Sequence, residues 1–153
     1  METKQVITEI RKKHGLSQDE MAQKLFVTRQ AVSRWENGET MPNIESLKVI
    51  SKTFDVSANV LLGLANEPVC QSCGMDLKNI EDFGTTQDDK VHTDYCKYCF
   101  QKGSFTHERT IDEMVETNLR FLDEYNKEKG LSFTPEQARV ELKQHLATLK
   151  RWK

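Results

Sequence analysis

A mainly α fold is predicted: five short helices, then a small four-cysteine β-hairpin module, then a C-terminal helical hairpin. Three observations predict it. Helix-start residues, a Ser, Thr or Asn placed just before an apolar periodic stretch, recur at Ser17, Thr28, Asn43, Ser57, Thr110 and Thr134. All four cysteines fall within residues 66–106, as two CxxC pairs. Hydrophobic residues make up only 37% of the 153, low for one well-filled core, and 30% are charged with both signs mixed, too structured for a disordered tail. Several small modules therefore fit better than one large core, and the expected division is 1–65, 66–106 and 107–153.

No apolar run approaches the ~18 residues needed to span a bilayer. The first ten residues hold Glu2, Lys4 and Glu9 and no apolar stretch, so they do not read as a secretory signal. A cytoplasmic, reducing compartment is expected, with the cysteines as thiols rather than disulfides. The net charge of -2 argues at first sight against a nucleic-acid partner. It is unevenly spread: residues 1–65 carry nine Lys/Arg against eight Asp/Glu, residues 66–106 four against seven, and residues 107–153 nine against nine.

The first helix places Val6, Ile7 and Ile10 on one face and stops at His14-Gly15. Ser17-Gln18-Asp19-Glu20 is a capping box, in which Ser17 and Glu20 each accept from the other's backbone N–H, with Leu16 and Met21 placed as a hydrophobic staple. That helix should run to about Leu25. After a short turn Thr28 caps the third helix, stapled by Val27 and Val32, and Asn37-Gly38 ends it. Two short helices separated by about three residues have helix-turn-helix spacing. Asn43 caps a fourth helix bearing Leu47, Ile50 and Phe54 on one face. Ser57 caps a short fifth with Val60, Leu61 and Leu62.

Leu16-Ser17-Gln18-Asp19-Glu20-Met21-Ala22, followed by Thr28-Arg29-Gln30-Ala31-Val32-Ser33-Arg34-Trp35-Glu36-Asn37-Gly38, resembles the lambda-repressor-like helix-turn-helix regulators of the Cro/repressor and Xre type. The likeness covers roughly residues 3 to 64. It implies a five-helix DNA-binding domain and a transcriptional regulator. Phe26 occupies the turn position where the family often has glycine; a positive φ there would strain a phenylalanine, so a slightly altered turn is expected.

In such a motif the second helix enters the major groove and presents its N-terminal residues to base edges. Arg29, Gln30, Ser33 and Arg34 lie on one side of the helix Thr28–Glu36, and Ala31, Val32 and Trp35 on the other, so Trp35 is expected in the core. Arg forks onto guanine and Gln pairs with adenine, each good pair discriminating by ~1 to 3 kcal/mol. Between Leu25 and Trp35 there are two arginines and no acid. Gln18 matches the family position that contacts phosphate. The expected DNA-contacting set is Gln18, Thr28, Arg29, Gln30, Ser33, Arg34 and Asn37, with Lys24 and Thr40 as weaker phosphate candidates. One such helix reads only a few base pairs, so a homodimer on double-stranded DNA is expected from that need.

Cys70-Gln-Ser-Cys73 and Cys96-Lys-Tyr-Cys99 are separated by 22 residues. Each CxxC turn directs two thiolates at one ion, and two turns complete a tetrahedral site with no ligand left over. One structural zinc per chain follows, held by Cys70, Cys73, Cys96 and Cys99. A closed site leaves no open position for water, so no catalytic residue is assigned and no enzyme is expected. Gly74 and Gly103 supply backbone freedom after each pair. Phe83-Gly84-Thr85-Thr86, the turn Gln87-Asp88-Asp89-Lys90, and Val91 to Tyr95 read as a β-hairpin, and the whole as a zinc ribbon. His92 and His107 read as polar surface. The cysteine segment, with Tyr95, Phe100 and Phe105, resembles bacterial zinc-ribbon domains of unassigned function, a likeness extending through Pro135 to Trp152.

In the tail, Thr110 and Glu113 box a helix carrying Ile111, Met114, Val115, Leu122 and Tyr125 that ends at Gly130. Thr134-Pro135-Glu136-Gln137 starts a second, with Ala138, Leu142, His145, Leu149 and Trp152 sharing a face and His145 read as an interface histidine. The whole reads as a sequence-specific DNA-binding transcriptional regulator whose C-terminal half dimerises it, binds a protein partner or senses a condition. Two further readings stand beside it: an antitoxin-type autoregulator whose C-terminal half masks a toxin, and a thiol/zinc redox sensor.

Overall fold

The computed structural model describes residues 1–64 and 66–153. The module boundary expected at 65/66 falls on Ala65, outside the described residues. Five helices open the chain: α1 (Thr3–Lys13), α2 (Gln18–Leu25), α3 (Arg29–Asn37), α4 (Ile44–Phe54) and α5 (Ala58–Leu61). Their starts are set by side chains that satisfy first-turn N–H groups. The Ser17 hydroxyl accepts from the Glu20 N–H at 3.1 Å, and the Glu20 carboxylate accepts from the Ser17 N–H at 2.7 Å. Thr28 accepts from Ala31 at 3.1 Å, and Asn43 from Ser46 at 2.9 Å. Val6, Ile7 and Ile10 of α1 bury against Met21, Ala22 and Leu25 of α2, Val32 and Trp35 of α3, Leu47 and Ile50 of α4, and Ala58 and Leu61 of α5. Phe54 is only half-buried, and Val60 faces outward.

The α2–α3 turn departs from expectation. Phe26 keeps the left-handed backbone, φ 58° and ψ 38°, with its side chain 91% exposed. The Val27 N–H still closes onto the Ala22 carbonyl at 3.0 Å. The turn is therefore not rearranged to suit the larger residue: burial of the flanking Leu25 and Val32 holds it, and the phenylalanine bears the strain.

Two small antiparallel hairpins follow. In the first, β1 (Phe83–Thr85) pairs with β2 (Val91–Cys96) around a turn in which the Thr86 N–H donates to the Lys90 carbonyl at 2.8 Å. A bulge lies between Phe83 and Gly84, and a Cβ at Gly84 would sit 2.3 Å from the Phe100 carbonyl oxygen, so no other residue fits there. The second hairpin, β3 (Phe100–Gln101) with β4 (Ser104–Phe105), turns through Lys102 and Gly103, both at positive φ. Its two-residue strands are too short to register as a period-2 pattern in the sequence.

The tail holds three helices where two were expected: α6 (Ile111–Leu119), α7 (Leu122–Lys129) and α8 (Pro135–Leu146). The single helix expected to reach Gly130 breaks at Arg120 and Phe121, whose N–H groups bond three residues back to Thr117 and Asn118 at 3.3 and 3.0 Å. Asn118 meanwhile donates its side-chain amide to the Cys73 carbonyl at 2.8 Å, tying the end of α6 to the cysteine module. Tyr125 is consequently exposed rather than on a buried face. In α8 the buried positions are Ala138 and Leu146, with Leu149 buried just beyond the helix; His145 is exposed and Leu142 half-buried. α6 packs on α8, and α7 is pinned to the cysteine module by Lys78–Glu128 at 2.9 Å and Lys129–Asp76 at 3.0 Å.

The two halves touch along α4. A 3-10 turn, Ile80–Asp82, packs against that helix, Lys52 pairs with Glu81 at 3.2 Å, and the Ile44 N–H donates to the Asp89 carbonyl at 3.1 Å.

Because Phe26 has no packing to lose, Phe26→Gly should stabilise the fold by roughly 1 kcal/mol, the penalty of left-handed backbone for a residue with a Cβ. Urea denaturation with an unchanged m-value checks it.

Candidate nucleic-acid interface and metal centre

The polar side of α3 lies open. Thr28, Arg29, Gln30, Arg34 and Asn37 are exposed and Ser33 is half-buried, while Val32 and Trp35 are buried on the opposite side. Among the described residues, neither Arg29 nor Arg34 has a carboxylate partner within salt-bridge range. Asn37 makes one long contact, its amide to Glu39 at 3.5 Å. Lys24 and Thr40 are exposed.

Gln18 is placed differently from the others. It is half-buried at the start of α2, and its amide donates to a Glu36 carboxylate oxygen at 3.0 Å. Glu36 in turn accepts a forked pair from Arg11, Nε at 2.6 Å and Nη2 at 3.1 Å, and the remaining Arg11 nitrogen donates to the Leu16 carbonyl at 3.0 Å. The Glu36 side chain is only 7% exposed. Burial alone would raise its pKa, but hydrogen bonds from Arg11 and Gln18 and the charges of Arg11 and Lys12 outweigh burial and hold it below the ordinary value. Arg11 is raised correspondingly, first by the Glu36 hydrogen bond. This network was missed in the sequence because its members lie 25 and 18 positions apart on three helices, outside any local pattern.

The four cysteines converge. Their Sγ atoms all lie within 4.8 Å of one another, and those of Cys73 and Cys96 are 3.7 Å apart. Thiolates ~2.3 Å from a tetrahedral zinc sit about 3.8 Å from each other, so the set fits one such ion. Cys70, Cys96 and Cys99 are buried, and the Cys96 N–H donates to the Cys70 sulfur at 3.2 Å. Hydrogen bonds from Cys73, Cys96 and Cys99 pull the Cys70 thiol far below its ordinary value, so negative charge is favoured there. Gly74 and Gly103 both take positive φ, as the turns after each pair require.

His92 is not simple polar surface. Its ring packs 4.5 Å from Phe100 and 5.2 Å from Tyr95, inside an aromatic cluster that includes Phe105. It is drawn there because β2 pairs it with Gly84, opposite the second hairpin. His107 is exposed, and its carbonyl accepts from Arg151 at 2.7 Å. Neither histidine belongs to the sulfur cluster.

Residues 7–61 match a family described as "Helix-turn-helix", and residues 69–153 match one described as "Putative zinc ribbon domain". The HTH-type transcriptional regulator YqaE of Bacillus subtilis, described as uncharacterized, is 37% identical over 124 residues, covering 80% of this chain and 90% of that protein. The HTH-type transcriptional activator BcrR of Enterococcus faecalis is 44% identical over 62 residues, 40% of this chain but only 30% of that longer protein. A second uncharacterized Bacillus subtilis regulator, YobD, is 26% identical over 79 residues, 52% of this chain and 68% of that protein. No solved structure matches the chain.

Two outcomes follow from the geometry. Glu36→Gln should destabilise the protein by about 2 kcal/mol at neutral pH, the range for a hydrogen bond to a charged group. Because the folded-state pKa of Glu36 is depressed, its contribution is complete above about 4.3 and fades as pH falls through the lower folded value. The stability gap between wild type and Glu36→Gln should therefore shrink on acidification; a gap that stays constant or widens contradicts the assignment. Elemental analysis should find about one zinc per chain, with the four thiols resistant to oxidation until a chelator is added.

Proposed function

The chain belongs to the helix-turn-helix transcriptional regulators and carries a C-terminal zinc-ribbon domain of the matched family, and from that premise we propose that it is a sequence-specific DNA-binding regulator reading the major groove with α3. It is a transcription regulator and not an enzyme. Among the described residues no helix is long and apolar enough to cross a membrane, and action in the cytoplasm, on double-stranded DNA, is part of the proposal.

The observation that carries the reading is the state of α3: Arg29, Gln30 and Arg34 are exposed, the two arginines lack acidic partners among the described residues, and the helix is locked behind them by Glu36 and Trp35. In the proposed complex Arg29, Gln30, Ser33 and Arg34 meet base edges. Thr28, Asn37 and the α2 start at Gln18 meet phosphate. The Glu36 bond uses one N–H of the Gln18 amide, so phosphate contact there falls to the second amide N–H and to the backbone N–H groups at the start of α2.

In the same reading residues 1–65 are the DNA-reading unit, and residues 66–106 and 107–153 form a zinc-held body. One zinc on Cys70, Cys73, Cys96 and Cys99 is structural: four protein ligands close the coordination sphere, and such sites contribute ~10 to 16 kcal/mol to folding. Homodimerisation or partner binding is assigned to this body. The acidic balance of residues 66–106 makes it a poor second DNA grip.

Selection of DNA sites by the full chain, compared with selection by residues 1–65, tests both assignments. The same half-site at lower affinity for the fragment supports dimerisation through the C-terminal half. Arg29→Ala and Arg34→Ala should each cost the selected site ~1 to 3 kcal/mol of binding and relax its base preference at one position; unchanged binding and preference in both variants overturns the groove assignment.

A further inference from the structure

We propose that Lys150, Arg151 and Trp152 form a cationic latch that positions the first zinc-ligand pair, so that this segment sets how readily the metal leaves. The inference rests on the zinc reading of the four-cysteine cluster. Gln71 and Ser72 are the two residues between ligands Cys70 and Cys73, and four hydrogen bonds reach them from a segment 79 to 80 positions away. The Arg151 N–H donates to the Gln71 carbonyl at 3.1 Å, and the Lys150 N–H to the Gln71 side-chain oxygen at 3.3 Å. The Arg151 guanidinium donates to the Ser72 hydroxyl at 2.8 Å, and the Trp152 indole N–H to the Ser72 carbonyl at 2.7 Å. Ser72 is fully buried.

The latch is itself held in place. The Arg151 guanidinium lies over the Phe105 ring at 4.1 Å and the Trp152 ring at 4.9 Å, and its other nitrogen donates to the His107 carbonyl at 2.7 Å. Lys150 pairs with Asp94 at 2.8 Å, and the Asp94 carbonyl accepts the Gln71 N–H at 2.7 Å. The second ligand pair has no such dependence. Of the residues between Cys96 and Cys99, Lys97 bonds through its N–H to the Asp82 carbonyl at 2.9 Å, and Tyr98 is exposed with its carbonyl taken by Thr106. The second CxxC turn is thus braced from within residues 66–106 alone, whereas the first also depends on residues 150–152.

Charge favours the arrangement. Four thiolates on one divalent ion leave two net negative charges, and Arg151 brings a fixed cation to the residue next to ligand Cys73. Without the latch the Cys70–Cys73 turn keeps its bonds at Cys70 to Met75 and Gly74, at Gln71 to Asp94 and at Cys73 to Asn118, but the hydroxyl and carbonyl of the buried Ser72 lose the partners that Arg151 and Trp152 supply. The first pair should then open ahead of the second.

The test uses the zinc-loaded full chain and two measurements: zinc transfer to a chromophoric chelator, and iodoacetamide labelling of each cysteine resolved by mass spectrometry. Arg151→Ala should release zinc about tenfold faster, the usual scale for removing an outer-sphere partner, with Cys70 and Cys73 labelled ahead of Cys96 and Cys99. Arg151→Lys, which keeps charge but not the fork, should fall between. Ser72→Ala deletes only the hydroxyl acceptor and should show the same labelling order even if Arg151→Ala fails to fold. Release within twofold of wild type, or equal acceleration at all four cysteines, overturns the latch. Zinc absent from the purified wild type would instead reject the metal reading on which it rests.

Discussion

Burying the Glu36 carboxylate is tolerated only because three groups from two other helices converge on it: the two nitrogens of the Arg11 fork and the Gln18 amide. An isolated charge at that position would cost several kcal/mol. Satisfied, it allows little freedom, since rotation or sliding of α3 would strand either the carboxylate or the guanidinium. The third bond of Arg11, to the Leu16 carbonyl, also fixes the α1–α2 connection. The direction in which Arg29, Gln30 and Arg34 point is thereby referred to α1 and α2 together, with Val32 and Trp35 supplying the apolar part of the same seam. A helix of nine residues has too few contacts of its own to hold such a pose.

The C-terminal half solves a different problem. Its hairpins have strands of two to six residues, and its largest buried side chains, Phe83, Leu77, Met114 and Leu146, come from widely separated stretches. A core of this kind is marginal without a covalent or metal cross-link. Four converging sulfurs provide the centre, and the tail closes on it through Asn118, Arg151 and Trp152. Contact between this body and α4, through Ile80, Glu81 and Asp89, places the ribbon beside the helix that follows α3.

What was legible in the sequence was what is encoded locally. Ser17 with Glu20, Thr28, Asn43 and Thr134 with Pro135 are cap signals completed within three residues, and all of them form. The CxxC pairs were legible because ligand geometry imposes spacing. The rest depends on tertiary partners. Arg11 and Glu36 carry no mark that distinguishes them from other surface charges until the helices pack. The break between α6 and α7 follows from Asn118 reaching Cys73, and the burial of Leu146 beside an exposed His145 is set by how α8 docks. His92 became part of an aromatic cluster through a second hairpin too short to predict. The strained Phe26 shows the converse: a local preference was legible and was overridden by the packing on either side of it.

A net charge of -2 is compatible with DNA binding when the positive groups are placed rather than numerous. Nonspecific attraction should then be modest and base contacts should carry more of the discrimination. Whether α3 enters the major groove is decided by methylation interference on a selected duplex. Dimethyl sulfate methylates guanine N7 in the major groove and adenine N3 in the minor groove. N7 methylation within the half-site should abolish binding by the full chain. Binding that survives N7 methylation throughout the site but is blocked by N3 methylation would contradict it.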